Sequence, residues 1–239
     1  MRVPGVASVL VAEALGTFLF FFVGMGAVVL GSHVGDAAGG LLGVALAHGL
    51  ALAVLISALG AVSGGHFNPA VTAGVLLAGR ISGGLAAAYV AAQLAAGDLA
   101  ALALRAVLPE ASWEPVAIGT PALGEGIGPV AGIAIEAILT VLLLIAVFGT
   151  AIDRRGPKIG GLAIGLAVAA DIMMGGPLTG AAMNPARWFG PAVASGSFAD
   201  WYVWWIGPLL GAAVAAGIYR LALAERAEPE VTPATPPAG

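Results

Sequence analysis

Long apolar runs alternate with short polar breaks along the chain, and this pattern predicts membrane-spanning helices. Six runs have a length near the ~20 residues that an α-helix needs to cross a bilayer. They are Val6 to Leu30, Leu41 to Val62, Leu85 to Val107, Val130 to Thr150, Ile159 to Met174 and Trp201 to Leu223. The first run is too long for the apolar part of a typical signal peptide and contains Glu13, so we interpret it as a retained helix. The predicted fold class is an all-α polytopic membrane protein.

Two shorter helices are predicted between these runs, and both begin at the same tripeptide. Asn-Pro-Ala starts at Asn68 and again at Asn184, each time after a Ser/Thr-Gly leader. Asn is a favoured N-cap and Pro is favoured at the first helical position. Each helix, ending near Gly79 and Ala194, is roughly 18 Å long at ~1.5 Å per residue, about half of a ~30 Å hydrocarbon core. A helix of this length enters a bilayer without crossing it.

The two tripeptides belong to an internal repeat that covers about residues 6–107 and 130–223. Glu13 near the start of the first span matches Glu136 near the start of the fourth. Each half holds three spans, an odd number, so the halves insert with opposite orientation and the short helices point their N-termini at each other near the midplane. Residues 1–223 are therefore predicted to form one transmembrane domain, followed by a disordered tail over residues 224–239.

Composition supports a membrane protein and excludes several other classes. Hydrophobic residues make up 60% of the chain and charged residues 9%, with a mean hydropathy of +1.02. Soluble domains carry about 25% charged residues. The chain contains no Cys, which excludes a disulfide, thiol catalysis and a Cys-based metal site. The sequence contains no catalytic constellation and no basic nucleic-acid face, and we expect no enzyme activity, no cofactor and no bound metal.

The distribution of charged residues predicts the orientation in the membrane. Basic residues fall on one side, at Arg2, Arg80, Arg154, Arg155, Lys158, Arg220 and Arg226, and acidic residues fall on the other, at Asp36, Glu110, Glu114, Glu125 and Asp200. The positive-inside rule then places both termini in the cytoplasm. Because the chain is rich in Ala and Gly and poor in loops, we expect a prokaryotic protein of the plasma membrane.

These motifs together resemble the major intrinsic protein family of aquaporins and aquaglyceroporins. The resemblance rests on the doubled Asn-Pro-Ala, on Glu13 and Glu136, on His-Phe-Asn-Pro-Ala-Val-Thr at residues 66–72 and on Met-Asn-Pro-Ala-Arg at 183–187, and it covers about residues 12–223. It implies six tilted helices and two re-entrant half-helices around one pore per subunit, with four subunits in each assembly. It also implies a passive channel for water or small neutral solutes.

The paired tripeptides have a physical interpretation of their own. Irregular backbone at membrane depth is tolerated only where protein or water satisfies it, so residues 60–67 and 175–183 should line a wet path with their carbonyl groups. If Asn68 and Asn184 cap their helices through the carbonyl oxygen, their amide hydrogens are left to face the lumen. Two such donors, with two helix dipoles behind them, would hold a passing water by its oxygen and interrupt a proton wire.

Glu13 and Glu136 are acids inside predicted spans, which costs about 2.5–3.5 kcal/mol each on insertion scales. One interpretation is a proton or ion relay. The favoured one is that both carboxylates accept backbone N–H groups of the two re-entrant loops, as the resemblance also implies. Gln93 is predicted to tether the same loop, and Asp171 lies close to the end of a predicted helix.

The spacing of the family places a constriction at His48, Ile172, Ala181 and Arg187. Arg187 is the strongest member, because an Arg without a role in an apolar setting would be costly. A lone His in a span is often only a hydrogen-bonded core residue, and Ile172 and Ala181 could be ordinary core positions. The set resembles that of plant vacuolar-type aquaporins, which adds ammonia, urea and hydrogen peroxide as candidate solutes beside water.

Other positions bear on the choice between water and glycerol. Where glycerol facilitators usually carry Asp, a basic residue and Pro-Leu, this chain has Trp188, Ala192 and Trp204-Trp205, which favours a water-selective channel. Trp188 departs from both subfamilies, which have a small or acidic residue there. The segment from Trp201 to Trp205 is also typical of an interfacial aromatic belt.

The sequence is also compatible with two further function classes. A coupled secondary transporter with broken helices would want an ionisable pair beside its substrate. His48 and Arg187 have no evident acidic partner in the sequence, which favours a channel. A purely structural membrane protein gives no reason for pore-facing Asn and Arg side chains.

Overall fold

The computed structural model describes residues 5–35, 39–157, 159 and 161–224, and within them the chain forms helices joined by loops. The helices are α1 (Val6–Val34), α2 (Gly40–Ser63), α3 (Pro69–Leu77), α4 (Gly83–Val107), α5 (Glu110–Trp113), α6 (Pro129–Val147), α7 (Leu162–Thr179), α8 (Pro185–Ser195) and α9 (Val203–Ile218). A 3₁₀ segment follows α5 at Glu114–Gly119, and π-helical turns extend α6 at Phe148–Ile152 and α9 at Tyr219–Leu223.

Six of these helices are long and apolar enough to cross a membrane: α1, α2, α4, α6, α7 and α9, the fourth and last with their π-helical turns. The predicted fold class is thereby confirmed. The largest difference in bounds is in α7, predicted to end near Met174 but continuing through Pro177 to Thr179. The chain leaves this helix at Gly180, whose left-handed φ of 78° suits glycine. Helical hydrogen bonds continue through the end of α7 because the hydrocarbon core contains no water that could replace them.

The helices pack as two matching sets. In the first half α1 packs on α2 and α4, and in the second half α6 packs on α7 and α9. The half-helices are exchanged between the sets, since α3 packs on α9 and α8 packs on α4. Each half-helix therefore rests against the last span of the other half, which brings the two Asn-Pro-Ala tripeptides together.

The halves are joined by a close crossing of α2 and α7. Gly49 and Gly165 meet there, and a Cβ built on either glycine would lie 2.6 Å or less from the carbonyl oxygen of the other. Small residues permit this approach in membrane helices, where packing replaces the hydrophobic effect as the source of association. The crossing fixes the separation of the two spans that carry His48 and Ile172.

Basic side chains gather where α3 and α9 end, a surface that we call the basic face. Arg220 donates to the carbonyl oxygen of Leu77 at 3.0 Å, and Arg155 donates to that of Leu223 at 2.7 Å. Cations at helix C-termini satisfy free carbonyl groups and complement the helix dipole.

Arg105 lies at the opposite face, although the predicted distribution did not include it. It donates to the carbonyl oxygen of Ala194 and stands 4.8 Å above the ring of Trp113. Arg2, Asp36, Lys158, Arg226 and the predicted tail beyond residue 224 lie outside the described residues.

Candidate functional site

Asn68 and Asn184 each cap the half-helix that they begin. The Oδ1 atom of Asn68 accepts from the amides of Ala70 and Val71 at 2.7 and 3.3 Å. That of Asn184 accepts from Ala186 and Arg187 at 3.1 and 3.4 Å. The N-cap propensity of Asn and the fixed φ of the following Pro account for both helix starts.

The same two side chains also join the re-entrant loops to each other. The amide Nδ2 of Asn68 donates to the carbonyl oxygen of Met183 at 2.9 Å, and that of Asn184 donates to the carbonyl oxygen of Phe67 at 3.1 Å. The sequence predicts that both amide hydrogens of each Asn face the lumen. One hydrogen of each is used in this cross-connection, so one remains. Phe67 and Met183 adopt φ values of 48° and 50°, unusual for residues with a side chain, and this backbone turns each carbonyl toward the opposite Asn.

Glu13 is fully buried and accepts hydrogen bonds from the loop that precedes Asn68. Its carboxylate receives the amides of His66 and Phe67 at 2.9 and 2.8 Å and the hydroxyl of Ser63 at 2.7 Å. The Nε2 atom of Gln93 donates to it at 2.8 Å. Several charge-assisted hydrogen bonds offset the cost of placing a carboxylate in this apolar interior.

Glu136 makes the matching set of contacts in the second half. Its carboxylate accepts from the amides of Ala182 and Met183 at 2.9 and 2.6 Å and from the hydroxyl of Thr179 at 2.7 Å. The pattern of hydroxyl, amide and adjacent amide is the same as around Glu13. Both carboxylates therefore hold the backbone just before the Asn-Pro-Ala tripeptide.

A second pair of matching contacts, which the sequence did not reveal, holds the residue before each re-entrant loop. Tyr89 donates its hydroxyl to the carbonyl oxygen of Ser63 at 2.8 Å, and Trp204 donates its indole N–H to that of Thr179 at 3.0 Å. The signal that could have pointed to them is the shared Ser/Thr of the two leaders. Trp204 is only 1% exposed whereas Trp201 is 54% exposed, so the aromatic-belt interpretation does not extend to Trp204.

Two cavities lie on either side of a shared set of side chains. A cavity of about 300 Å³ extends from Arg80 past both Asn side chains, and one of about 430 Å³ opens beside the loop at residues 115–122. His48, Ile172 and Arg187 line both cavities, and Ala181 lines the first. The four positions obtained from the family spacing thus meet where the cavities adjoin.

His48 and Arg187 are directly bonded to each other. The Nδ1 atom of His48 lies 2.9 Å from the carbonyl oxygen of Val44, so we assign the ring proton to Nδ1. Its Nε2 atom is then free to accept from Nε of Arg187, which lies 3.2 Å away. Arg187 also donates Nη1 to the carbonyl oxygen of Gly119 at 2.8 Å, a contact that no sequence pattern predicted. These bonds hold the guanidinium group from two sides.

The irregular backbone that lines the first cavity is shorter than the sequence suggests. Residues 60–63 and 175–179 are helical, and the segments without regular hydrogen bonding are residues 64–68 and 180–184. Gly64 and Gly180 leave their helices with positive φ values of 92° and 78°. Ser63 to His66 and Ala181 to Met183 contribute to the wall of this cavity.

His66 and Thr72 belong to the first Asn-Pro-Ala motif and are also residues of the site. The hydroxyl of Thr72 donates to the carbonyl oxygen of Asn68 at 2.9 Å and accepts from Gln93 at 3.1 Å, and His66 Nδ1 lies 3.1 Å from it. The His66 side chain lines the cavity on the side of the basic face. Both residues belong to the network around Asn68.

Trp188, Ala192 and Trp204, which argue against glycerol in the sequence, form one buried cluster with Ala182 and Val203. Neither cavity is lined by any of the three. Trp188 and Ala192 belong to α8 and Trp204 belongs to α9, and the three residues pack on one another away from both cavity walls.

Asp171 stands apart from these networks. It is 1% exposed, and neither carboxyl oxygen has a hydrogen-bond partner among the described residues. It precedes Ile172 in α7 but lines neither cavity.

Comparison with known proteins identifies the family. The model of the major intrinsic protein family matches residues 2–219. The chain belongs to this family. Among curated relatives it is 46% identical to "Aquaporin TIP4-4" of Zea mays over 90% of this chain and 86% of the relative. It is 44% identical to "Probable aquaporin TIP3-2" of Oryza sativa subsp. japonica over 95% of this chain and 86% of the relative.

A solved structure shares the fold. The aquaglyceroporin from Plasmodium falciparum superposes with a TM-score of 0.79 at 23% identity, covering 92% of this chain and 97% of its own. At this identity the likeness concerns the fold alone. The family match over residues 2–219 confirms the resemblance stated from the motifs.

The expected location is wrong. A prokaryotic plasma membrane was predicted from the Ala- and Gly-rich, loop-poor chain, but the relatives named above are plant tonoplast intrinsic proteins (TIP), which point to a eukaryotic vacuolar membrane. High Ala and Gly content reflects close helix packing in a membrane, as at Gly49 and Gly165, and does not report on the organism.

Proposed function

We propose that this protein is a passive membrane channel that conducts water and excludes protons and ions. The observation that carries the proposal is the pair of Asn caps at the wall of the first cavity, each bonded to the opposite re-entrant loop. Membership of a channel family supports it. Glycerol is not the favoured solute, because the two relatives described above are named aquaporins.

Water orientation follows from the hydrogen atoms that remain at the midplane. Asn68 and Asn184 each have one amide hydrogen left after their hydrogen bonds to the opposite loop. These two hydrogens can be donated to the oxygen of a passing water. The N-termini of α3 and α8 add positive potential at the same place. A water held by its oxygen must direct both of its hydrogens outward, which interrupts a proton wire, and a cation meets a positive barrier.

Selectivity on this proposal is set by His48, Ile172, Ala181 and Arg187. Arg187 has five N–H groups, and its hydrogen bonds to His48 and Gly119 use two of them, which leaves others for a solute. Ile172 and Ala181 supply an apolar wall. A wall that combines hydrogen-bond donors with apolar side chains suits small neutral molecules, so ammonia, urea and hydrogen peroxide are secondary candidate solutes.

Glu13, Gln93 and Glu136 support the loops on this proposal and do not relay protons. Each carboxylate accepts two backbone N–H groups of its own loop and the hydroxyl of the helix residue just before that loop. Such an arrangement fixes the backbone without offering a path through the membrane. We further propose that residues 1–223 form one channel domain and that four copies assemble in the bilayer. On this proposal the protein is not an enzyme and needs no cofactor. A coupled transporter would need an acidic partner beside the solute, and within the described part of the chain neither His48 nor Arg187 is bonded to one.

Stopped-flow swelling of liposomes that contain the purified protein and a pH-sensitive dye tests the proposal. We expect faster osmotic water flux with a low activation energy and no proton leak. Ile172→Trp is the matched control, because a large ring at the junction of the cavities should close the path while circular dichroism and the melting temperature show a folded protein. Water flux of vesicles with folded wild-type protein that is no faster than that of protein-free vesicles would exclude a water channel.

A further inference from the structure

The residue four positions after the capping Asn differs in kind between the two half-helices. In α3 it is Thr72, whose hydroxyl bonds to Gln93 of α4 and to the carbonyl oxygen of Asn68. In α8 it is Trp188. At this position a hydrogen bond therefore joins the first half-helix to α4, whereas the second half-helix carries an aromatic ring.

Trp188 is secured through its ring. It is 2% exposed and stacks on Trp204 with ring centroids 5.8 Å apart and an angle of 6° between the planes. Phe198 meets it edge-on at 6.2 Å. Its indole Nε1 has no hydrogen-bond partner among the described residues. An unpaired buried N–H costs free energy, so the contribution of Trp188 comes from the packing of its ring.

Trp204 extends this contact to the loop that carries Ala181. Its indole N–H donates to the carbonyl oxygen of Thr179, and the hydroxyl of Thr179 accepts from the amide of Ala181 at 3.2 Å. Arg187 directly precedes Trp188 in α8. The stack of Trp188 on Trp204 therefore connects the two chain segments that contribute Ala181 and Arg187 to the junction of the cavities.

Neither tryptophan touches a solute. Both are absent from the walls of the two cavities, whereas Ala181 and Arg187 are part of them. Any effect of Trp188 on solute passage must then act through the position of its neighbours.

We propose that Trp188 is a positioning residue for selectivity: by stacking on Trp204 it fixes α8 against the loop before Asn184, which aims Arg187 and sets the discrimination between water and urea. This inference rests on the proposed water channel. Side chains that define a pore by their bulk lose discrimination when they shift by a fraction of an ångström, because the cross-section open to a larger solute then increases.

The test compares Trp188→Ser, Trp188→Phe and the control Trp201→Ser, whose native side chain is exposed, in liposomes assayed for both water and urea. Trp188→Ser should raise the ratio of urea to water permeability about three-fold or more. Trp188→Phe keeps an aromatic face for Trp204 and should restore most of the wild-type ratio, and Trp201→Ser should leave it unchanged.

A merely structural role predicts a different result, namely a lower melting temperature with an unaltered permeability ratio, and that result overturns the proposal. If Trp188→Ser does not fold, Trp204→Phe answers the question, since it keeps the stack and removes the N–H that holds Thr179. An unaltered ratio in Trp204→Phe also overturns it.

Wild-type vesicles measured alongside distinguish a failure of the proposed water channel from a failure of the proposed role of Trp188. If the wild type shows no water flux, the proposed channel is wrong. If it conducts water but the variants leave the ratio of urea to water permeability unchanged, only the role of Trp188 is wrong.

Discussion

Arg187 donates its Nε–H to Nε2 of His48 at 3.2 Å, where the two cavities adjoin. Since His48 Nδ1 faces the carbonyl oxygen of Val44 and Arg187 Nη1 donates to that of Gly119, each side chain holds the other in a fixed direction. The pair behaves as one unit, and the effects of changing its members should not be additive.

Removing both members should widen the junction and lower its charge. We expect His48→Ala with Arg187→Val to raise urea and glycerol passage several-fold and to admit some protons or cations, while water flux changes little because Asn68 and Asn184 remain. Solute-specific swelling rates of the double variant and of each single variant measure the coupling. Unchanged urea and glycerol rates in a folded double variant would place selectivity elsewhere.

Arg187→Lys separates charge from geometry. The ammonium group keeps the positive charge but loses the planar fork that bonds His48 and Gly119 together. We expect cations to remain excluded and the urea rate to rise, though less than in the double variant. A cation leak as large as that of the double variant would show that the fork, and not the charge, excludes cations.

Mercurials should not inhibit the unmodified protein, because the chain has no Cys. Ala181→Cys should make water flux mercury-sensitive, since Ala181 lines the first cavity and a mercury adduct would obstruct it. Ala192→Cys is the matched control: Ala192 is fully buried in the same half but lines neither cavity. Inhibition reversed by a thiol in Ala181→Cys alone is the expected result, and equal inhibition of both variants would contradict the placement of Ala181.

Glu136→Gln should destabilise the fold. The two oxygens of Glu136 accept from Ala182, Met183 and Thr179, whereas an amide offers one oxygen and turns N–H groups toward a donor. Each buried donor left without a partner costs about 1–3 kcal/mol of unfolding free energy. Thermal unfolding in detergent measures the loss.

Asp171→Asn is the matched control for that experiment. Asp171 is as deeply buried as Glu136, but its oxygens accept no hydrogen bond from the described residues. The substitution should therefore leave stability within about 0.5 kcal/mol or raise it. Destabilisation equal to that of Glu136→Gln would show that Asp171 has a partner of comparable importance.

The loop after α6 should keep its structure in moderately acid solution. Hydrogen bonds from Arg155 lower the pKa of Asp153 to about 2, and the shortest contact of the pair is 2.5 Å. Because its pKa is lower in the folded state, the Asp153 carboxylate stabilises the folded loop fully at pH values above its unfolded-state pKa of about 3.9. This stabilisation is lost only as the pH falls through the folded-state pKa. The Arg155 amide, which donates to Asp153 at 2.9 Å, should thus stay protected from hydrogen exchange between about pH 7 and pH 5. Asp153→Asn should lower that protection, and a fall in protection of the wild type over this range would contradict the assignment.

The sequence by itself determined the spans, the inverted repeat and the two capped half-helices. Span length, the N-cap preference of Asn and the φ of Pro are local properties, and each is legible from a few adjacent residues such as Asn68 and Pro69. The match between Glu13 and Glu136 added the pairing of the halves.

Only the tertiary structure decided where the remaining hydrogen bonds go. One amide hydrogen of each Asn meets the carbonyl that Phe67 or Met183 turns toward it through a positive φ, and Arg187 meets the carbonyl of Gly119 from a loop far away in sequence. Trp204, which the sequence places in an aromatic belt, is instead buried and donates its indole N–H to the carbonyl oxygen of Thr179. The direction of a backbone carbonyl depends on dihedral angles that the whole packing of the chain selects, so no pattern of residue types along the sequence contains it.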